Sequence, residues 1–420
     1  MQFPSSRNRQ LYLAALCAIL VIGIFLRVPD SLFVGANAPL RHLAALHPPA
    51  KFTSVGYDEG LYRGYVNNLI ESGLTSYPDL AESYIERQQK LPAAILPPTR
   101  FLYIFSAYLW HQATGEEALL ALHRVSCLFS ILLFFAAGAF AWRLGGPRIA
   151  LAVLALMACA PTQLHMSQHA LIDGFFAFWA TLSLWFLWEN LRHPNNARWL
   201  ILYTASLALM VITKENALFA YIGLFALIGA NRWVRFGVVT RPLLLLTLAG
   251  PLLGLVILIV LCGSATTFIN TYRLLVDKAS VLPYAIATGD GPWYRYLVDL
   301  LLASPLIFLL AWGALFRLKF ENKQSLYLVA FMIATYLLMC NVRYGMNLRY
   351  TNMWDMPLRY LTVICLSDIT RFLRRREIVM AVAVTLLCAI DLRQYHIFFV
   401  QHDLYELVTA GLLRALQILK

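Results

Sequence analysis

Apolar runs of roughly 15 to 25 residues recur along the whole chain, the length an α-helix needs to cross the hydrocarbon core of a bilayer. Between them stand short polar turns. The pattern predicts spans near 11–26, 119–142, 149–164, 172–190, 199–213, 216–230, 242–262, 296–316, 325–341, 357–370 and 377–391. These eleven helices would make an all-α polytopic membrane protein. The polar stretch 27–118 interrupts the series after the first span. Inside it, 59–73 is amphipathic, while 99–113 is apolar but short, aromatic and preceded by Pro97-Pro98. Both read as juxtamembrane helices lying along an interface rather than crossing it. The expected organisation is therefore one transmembrane domain over 1–391, with 27–118 as its first outward loop, and a short outward tail over 392–420. No period of 20 to 50 residues is visible, so a solenoid is not expected.

Composition agrees with this pattern. Hydrophobic residues make up 60% of the 420 positions and charged residues only 13%, and the mean hydropathy is +0.65. A soluble globular domain is excluded on these values. Arg7 and Arg9 precede the first run as they would in a signal peptide. No small-residue cleavage site follows and further spans do, so an uncleaved first helix is expected. The seven cysteines are scattered through apolar runs, with the spacing of neither a disulfide framework nor a zinc site.

The net charge of +12 would suggest nucleic acid in a soluble protein. Here its distribution encodes orientation, and no nucleic-acid partner is expected. Six short turns carry the basic residues: Arg7 and Arg9; Arg143 and Arg148; Arg192 and Arg198; Arg232, Arg235 and Arg241; Arg317, Lys319 and Lys323; Arg371 and Arg374 to Arg376. The positive-inside rule assigns all six to the cytoplasmic face. They share a face only if an even number of crossings separates neighbours, which again lays 99–113 on the surface. The amino terminus is then cytoplasmic. On the outer face fall Asp58-Glu59, Arg100, Arg124, His165 to Asp173, Lys214-Glu215-Asn216, the 263–295 loop, Arg343 to Asp355 and the tail from Asp391.

That face holds the candidate chemistry. Asp58 and Glu59 are adjacent carboxylates at the membrane boundary, able to act as a general base or to hold a cation. The same pair could simply cap the helix that follows. His165, His169 and Asp173 are spaced i, i+4, i+8, so one helical face could present all three to a divalent metal ion such as zinc. Histidines ending a span can equally just meet water. Arg124, Lys214 and Arg349 lie where spans reach the surface. Singly each could snorkel; with Arg100 and Arg343 they could cradle a phosphate at headgroup depth. No Walker loop, dinucleotide fingerprint or nucleophile elbow is present.

Read in order, these landmarks resemble the GT-C membrane glycosyltransferases, in the branch of the protein O-mannosyltransferases and bacterial lipid A aminoarabinose transferases. The matching pieces are Tyr57-Asp58-Glu59, Leu96-Pro97-Pro98, Leu122 to Ser126, Pro161 through Asp173, Ile212 to Glu215, Gly291 to Leu297, and Asn347 to Tyr350 with Pro357 following. The resemblance implies a polyprenyl-phosphate sugar donor, its tail among the membrane lipids, and a lipid, glycan or protein acceptor. It implies Asp58 as the base supported by Glu59, Asp173 completing the acidic site, Arg124 and Lys214 on the donor phosphate, and Arg349 with Tyr350 closing the pocket. Arg100 stands where relatives often carry a lysine. The chain runs only a short way past the eleventh span, without the sizeable soluble domain of larger relatives. That compact form leans toward a bacterial inner membrane and an undecaprenyl carrier.

The competing reading is a transporter or lipid flippase. Such proteins set charges near the bilayer midplane, whereas these acids collect at one face; Asp299 and Asp368 are the exceptions. A non-catalytic assembly subunit is a second rival.

Overall fold

The computed structural model describes residues 6–35, 38–49, 55–92, 94–342 and 345–419; Arg343, one of the expected cations, lies outside them. The protein is a helical bundle. Its first helix is α1 (Ser6–Arg27), followed by three helices of the polar loop, α2 (Tyr57–Ser72), α3 (Tyr77–Lys90) and α4 (Phe101–Thr114). Then come α5 (Ala118–Ala158), α6 (Pro161–Gln168), α7 (Ile172–Arg192), α8 (Ala197–Val211), α9 (Ala217–Val234) and α10 (Arg241–Leu261). The 263–295 loop carries α11 (Ala265–Ala279) and α12 (Pro283–Gly289). The chain continues through α13 (Arg295–Ala303), α14 (Pro305–Leu315), α15 (Lys323–Met339), α16 (Asp355–Thr370) and α17 (Arg376–Tyr395), and closes with α18 (Thr409–Ala415).

Every expected span is occupied by helix. Arg9–Arg27, Ala118–Ala158, Ala217–Val234, Arg241–Leu261 and Arg376–Gln401 are long and apolar enough to cross a membrane, and three shorter apolar helices accompany them. This is an integral membrane protein. The long α5 is two helices joined at Gly146, whose φ of 80° reverses the chain just before Pro147. The halves pack so closely that a Cβ on Gly138 would lie 2.5 Å from Leu154. Two antiparallel segments thus meet at the Arg143–Arg148 turn, as the arginine pattern requires. The expected span 296–316 is likewise split into α13 and α14 at Ser304, before Pro305, which fits the first turn of α14 because it needs no amide donor there.

Buried arginines tie the core together. Arg27 is fully buried and donates to the carbonyls of Gly23, Met157 and Ala158 and to Ser130. Two of those carbonyls belong to the last turn of α5, where the regular i→i+4 amide partners run out. Arg359 donates to Asp355 at 2.8 Å and Asp391 at 3.0 Å, while Thr162 and Gln163 donate to the far side of Asp355. Asp355 and Asp391, expected as outward-facing acids, are therefore buried ion-pair partners between α6, α16 and α17. Hydropathy did not single out Arg359, because one charge hardly alters the average of an otherwise apolar run.

Candidate active site

Helix connectivity places one cluster of charge at the end of the bundle opposite the basic turns. Asp173 begins α7, which ends at Arg192. Lys214 lies in the turn between α8 and α9. Arg349 sits in the 3-10 turn Leu348–Trp354, between the far ends of α15 and α16. Asp58 and Glu59 occupy the first turn of α2.

Lys214, Asp173, Arg349 and Asp58 form a continuous chain of ion pairs. Lys214 Nζ is 2.5 Å from Asp173 Oδ1, and Asp173 Oδ2 is 3.9 Å from Arg349 Nε. Arg349 Nη2 lies 3.2 Å from Asp58 Oδ2 and 3.3 Å from Glu406 Oε1. The Lys214 ammonium stands 4.2 Å from the Tyr350 ring centroid, a cation–π contact. Arg349, Asp173 and Lys214 are each less than 5% exposed, so removing one partner would strand a buried charge. Arg349 Nε and Nη1 have no hydrogen-bond partner among the described residues. Two buried donors are thus without a hydrogen bond, Nε facing the more distant Asp173. Asp58, with its side chain 18% exposed, is more open than Asp173.

Glu59 has another task. Its Oε2 accepts the Gly56 amide at 3.2 Å, capping α2, and its Oε1 accepts the Ala170 amide at 2.8 Å with His169 Nδ1 at 3.2 Å. Burial pushes this carboxyl up, but the bonds from His169 and Ala170 and the neighbouring His123 outweigh it and hold it below the ordinary carboxylate value. The capping alternative from the sequence therefore describes Glu59, while Asp58 faces Arg349.

The spacing of His165, His169 and Asp173 does not yield a metal centre. Helix α6 ends at Gln168, and His169 is extended at φ −117°, ψ 158°. The three residues therefore do not share a helical face. His169 turns to Glu59, Asp173 to Lys214, and His165 stacks on Phe399 with ring centroids 4.1 Å apart. No group of three His, Cys, Asp or Glu side chains able to hold a metal ion occurs among the described residues.

Two expected cations are otherwise engaged. Arg100 grips Glu215 through Nε and Nη2 and donates to Tyr62 through Nη1. Arg124 pairs with Glu116 at 3.4 Å, at the α4–α5 corner and apart from the Asp58 cluster. Sequence reasoning missed Tyr405 and Glu406 in the carboxyl-terminal segment. Asn347 Nδ2 donates to Glu406 at 2.5 Å, and the Arg349 guanidinium lies 5.6 Å from the Tyr405 ring centroid. A Cβ on Gly56 would fall 2.5 Å from the Tyr405 ring, so any other residue there would push that ring aside. The segment packs over the site; Leu348 also donates to Leu407 O, and Thr409 to Asp299.

The fold is similar to those of the solved membrane enzymes ArnT and AglB. ArnT from Cupriavidus metallidurans in the apo state matches with a TM-score of 0.55 at 17% identity, over 98% of this chain and 71% of that one. ArnT bound to undecaprenyl phosphate matches with a TM-score of 0.54 at 14% identity, over 98% and 75%. The archaeal oligosaccharyltransferase AglB from Archaeoglobus fulgidus, in complex with an inhibitory peptide and a dolichol-phosphate, gives 0.58 at 13% identity, over 94% of this chain and 56% of that one. Residues 97–271 match the family model of the dolichyl-phosphate-mannose-protein mannosyltransferases. The chain thus resembles the GT-C enzymes in fold throughout and this branch over that stretch, which holds Arg100, Arg124, Asp173 and Lys214. No curated protein matches it.

Proposed function

We propose that the protein is a glycosyltransferase that moves a sugar from a polyprenyl-phosphate donor to an acceptor at the outer face of a membrane. The observation that carries this reading is Arg349, a buried guanidinium between Asp58 and Asp173 with two donors left over. In the ArnT structure with undecaprenyl phosphate and the AglB structure with dolichol-phosphate, the same fold is occupied by a polyprenyl-phosphate ligand.

In this scheme the Asp58 carboxylate takes the proton of the acceptor hydroxyl. The acceptor oxygen forms its bond to the anomeric carbon as the bond from that carbon to the donor phosphate breaks, and the phosphate leaves with the electron pair. Arg349 and Lys214 stabilise the charge that develops there, while Asp173 is a positioning residue for both cations. Attack from the side opposite the leaving group inverts the anomeric centre. Glu59 fixes the start of α2 and thereby the aim of Asp58; Tyr350 walls the Lys214 ammonium. Arg100 and Arg124 act through Glu215 and Glu116, and the tail 392–420 closes the domain 1–391. No step is routed through a metal ion, since the His165, His169 and Asp173 donor set does not assemble.

By the positive-inside rule the basic turns face the cytoplasm and the site faces out, here in a bacterial inner membrane with an undecaprenyl carrier. A lipid, glycan or protein hydroxyl serves as acceptor. The test is incubation of the purified protein with polyprenyl-phosphate sugars, following release of polyprenyl phosphate. Release that depends on acceptor supports the reading; its absence with every donor in a folded sample opposes it.

A further inference from the structure

A second feature opens at the opposite, basic end of the bundle. There α1, the returning half of α5, α16 and α17 leave a groove of about 610 Å³ between them. Its walls are apolar and in part small, including Ile19, Ile22, Ala152, Ala155, Met380 and Val384. The lining runs along α17 from Arg376 to Leu392, roughly 24 Å at the rise of an α-helix. That is the depth of one membrane leaflet and more.

The mouth is charged. Arg148, Arg376, Glu377 and Ser367 line it. Arg376 donates to Ser367 at 2.6 Å, which holds its guanidinium at the rim. Arg148 pairs with Glu377 at 2.5 Å, but both side chains are about two-thirds exposed, at 70% and 67%, so the pair is weakly held. Arg371, Arg374 and Arg375 belong to the same turn, and with Arg148 and Arg376 they outnumber Asp368 and Glu377. Phe372 is 81% exposed beside them, with the Arg371 guanidinium 4.3 Å from its ring centroid. Tyr12 on α1 donates to Pro147 O at the same level. Aromatic side chains among exposed arginines mark the depth of the lipid headgroups.

We propose that this groove binds an anionic phospholipid, with an acyl chain between α1, α5 and α17 and the phosphate at Arg148 and Arg376. An apolar slot open to the bilayer accepts any acyl chain; the arginine mouth selects a negative headgroup. Glu377 then exchanges its partner for the lipid phosphate or turns to solvent. The site does not depend on the glycosyltransferase reading and shares no residue with it.

The experiment uses the full-length purified protein titrated with phosphatidylglycerol or phosphatidylcholine, with bound lipid counted by native mass spectrometry. Phosphatidylglycerol is expected to bind more tightly. Arg148→Ala and Arg376→Ala should each lower its retention about fivefold and leave phosphatidylcholine unchanged. Ala152→Leu should reduce retention of both lipids. Thermal unfolding checks that each variant remains folded. Equal retention of the two lipids by the wild type, unchanged phosphatidylglycerol binding in the arginine variants, or displacement of phosphatidylglycerol by equimolar polyprenyl phosphate would overturn the proposal.

Discussion

Arg349 and Asp58 are separated by 291 residues in sequence and by 3.2 Å in space, the Arg349 Nη2 donating to Asp58 Oδ2. This contact joins the first polar loop to the turn before α16. It sets a half-buried acid against a buried cation that is also shared with Asp173 and Glu406. A carboxylate held this way is kept aimed, as a base for a hydroxyl acceptor must be.

Lys214 and Asp173 are both buried and 2.5 Å apart. Lys214→Ala would leave the Asp173 carboxylate short of a partner and cost about 3–5 kcal/mol of stability. The double variant Asp173→Asn, Lys214→Met removes both charges and should recover most of that loss while staying inactive. Thermal unfolding beside donor turnover separates the two effects. A double variant as unstable as Lys214→Ala would deny the pairing its structural role.

Glu59 makes the stability of the site depend on acid. Its carboxyl is held below the ordinary value of 4.5 by His169, Ala170 and His123 in spite of burial. A folded-state value below the unfolded one contributes stability that is full above 4.5 and fades as pH falls through the folded value. The wild type should therefore lose stability relative to Glu59→Gln as pH drops below about 4.5. Unfolding midpoints measured across that range test this; parallel curves would contradict it.

Gly56→Ala should disturb the site without disturbing the bundle. The added methyl would meet the Tyr405 ring, which lies between His165, His169 and Arg349. The expected result is a raised KM for the donor with a near-normal unfolding midpoint, relieved by the second change Tyr405→Leu. Failure of that rescue would show that the methyl acts elsewhere.

Much of this organisation is legible in the sequence, because a bilayer imposes helix length and the arginines mark one end of every helix pair. Asp173, Lys214 and Arg349 could be gathered for the same reason, since each sits where an apolar run stops at the opposite end. What the pattern cannot show is which partner each charge takes. Glu215 follows Lys214 directly but turns to Arg100, and Glu116 takes Arg124, so two expected phosphate ligands are already paired. The i, i+4, i+8 spacing of the histidines presumes an unbroken helix, yet the Ala170 amide bonds to Glu59 and the helix ends before it. Glu406 was invisible because its only signal is a tertiary contact with Arg349 and Asn347, far upstream.

The central claim rests on Asp58, and turnover of a polyprenyl-phosphate sugar by Asp58→Asn tests it most directly, with donor binding and unfolding measured on the same sample. The account predicts transfer reduced by about 100-fold or more, with donor affinity and folding near those of the wild type. Wild-type turnover by a folded Asp58→Asn protein would contradict it.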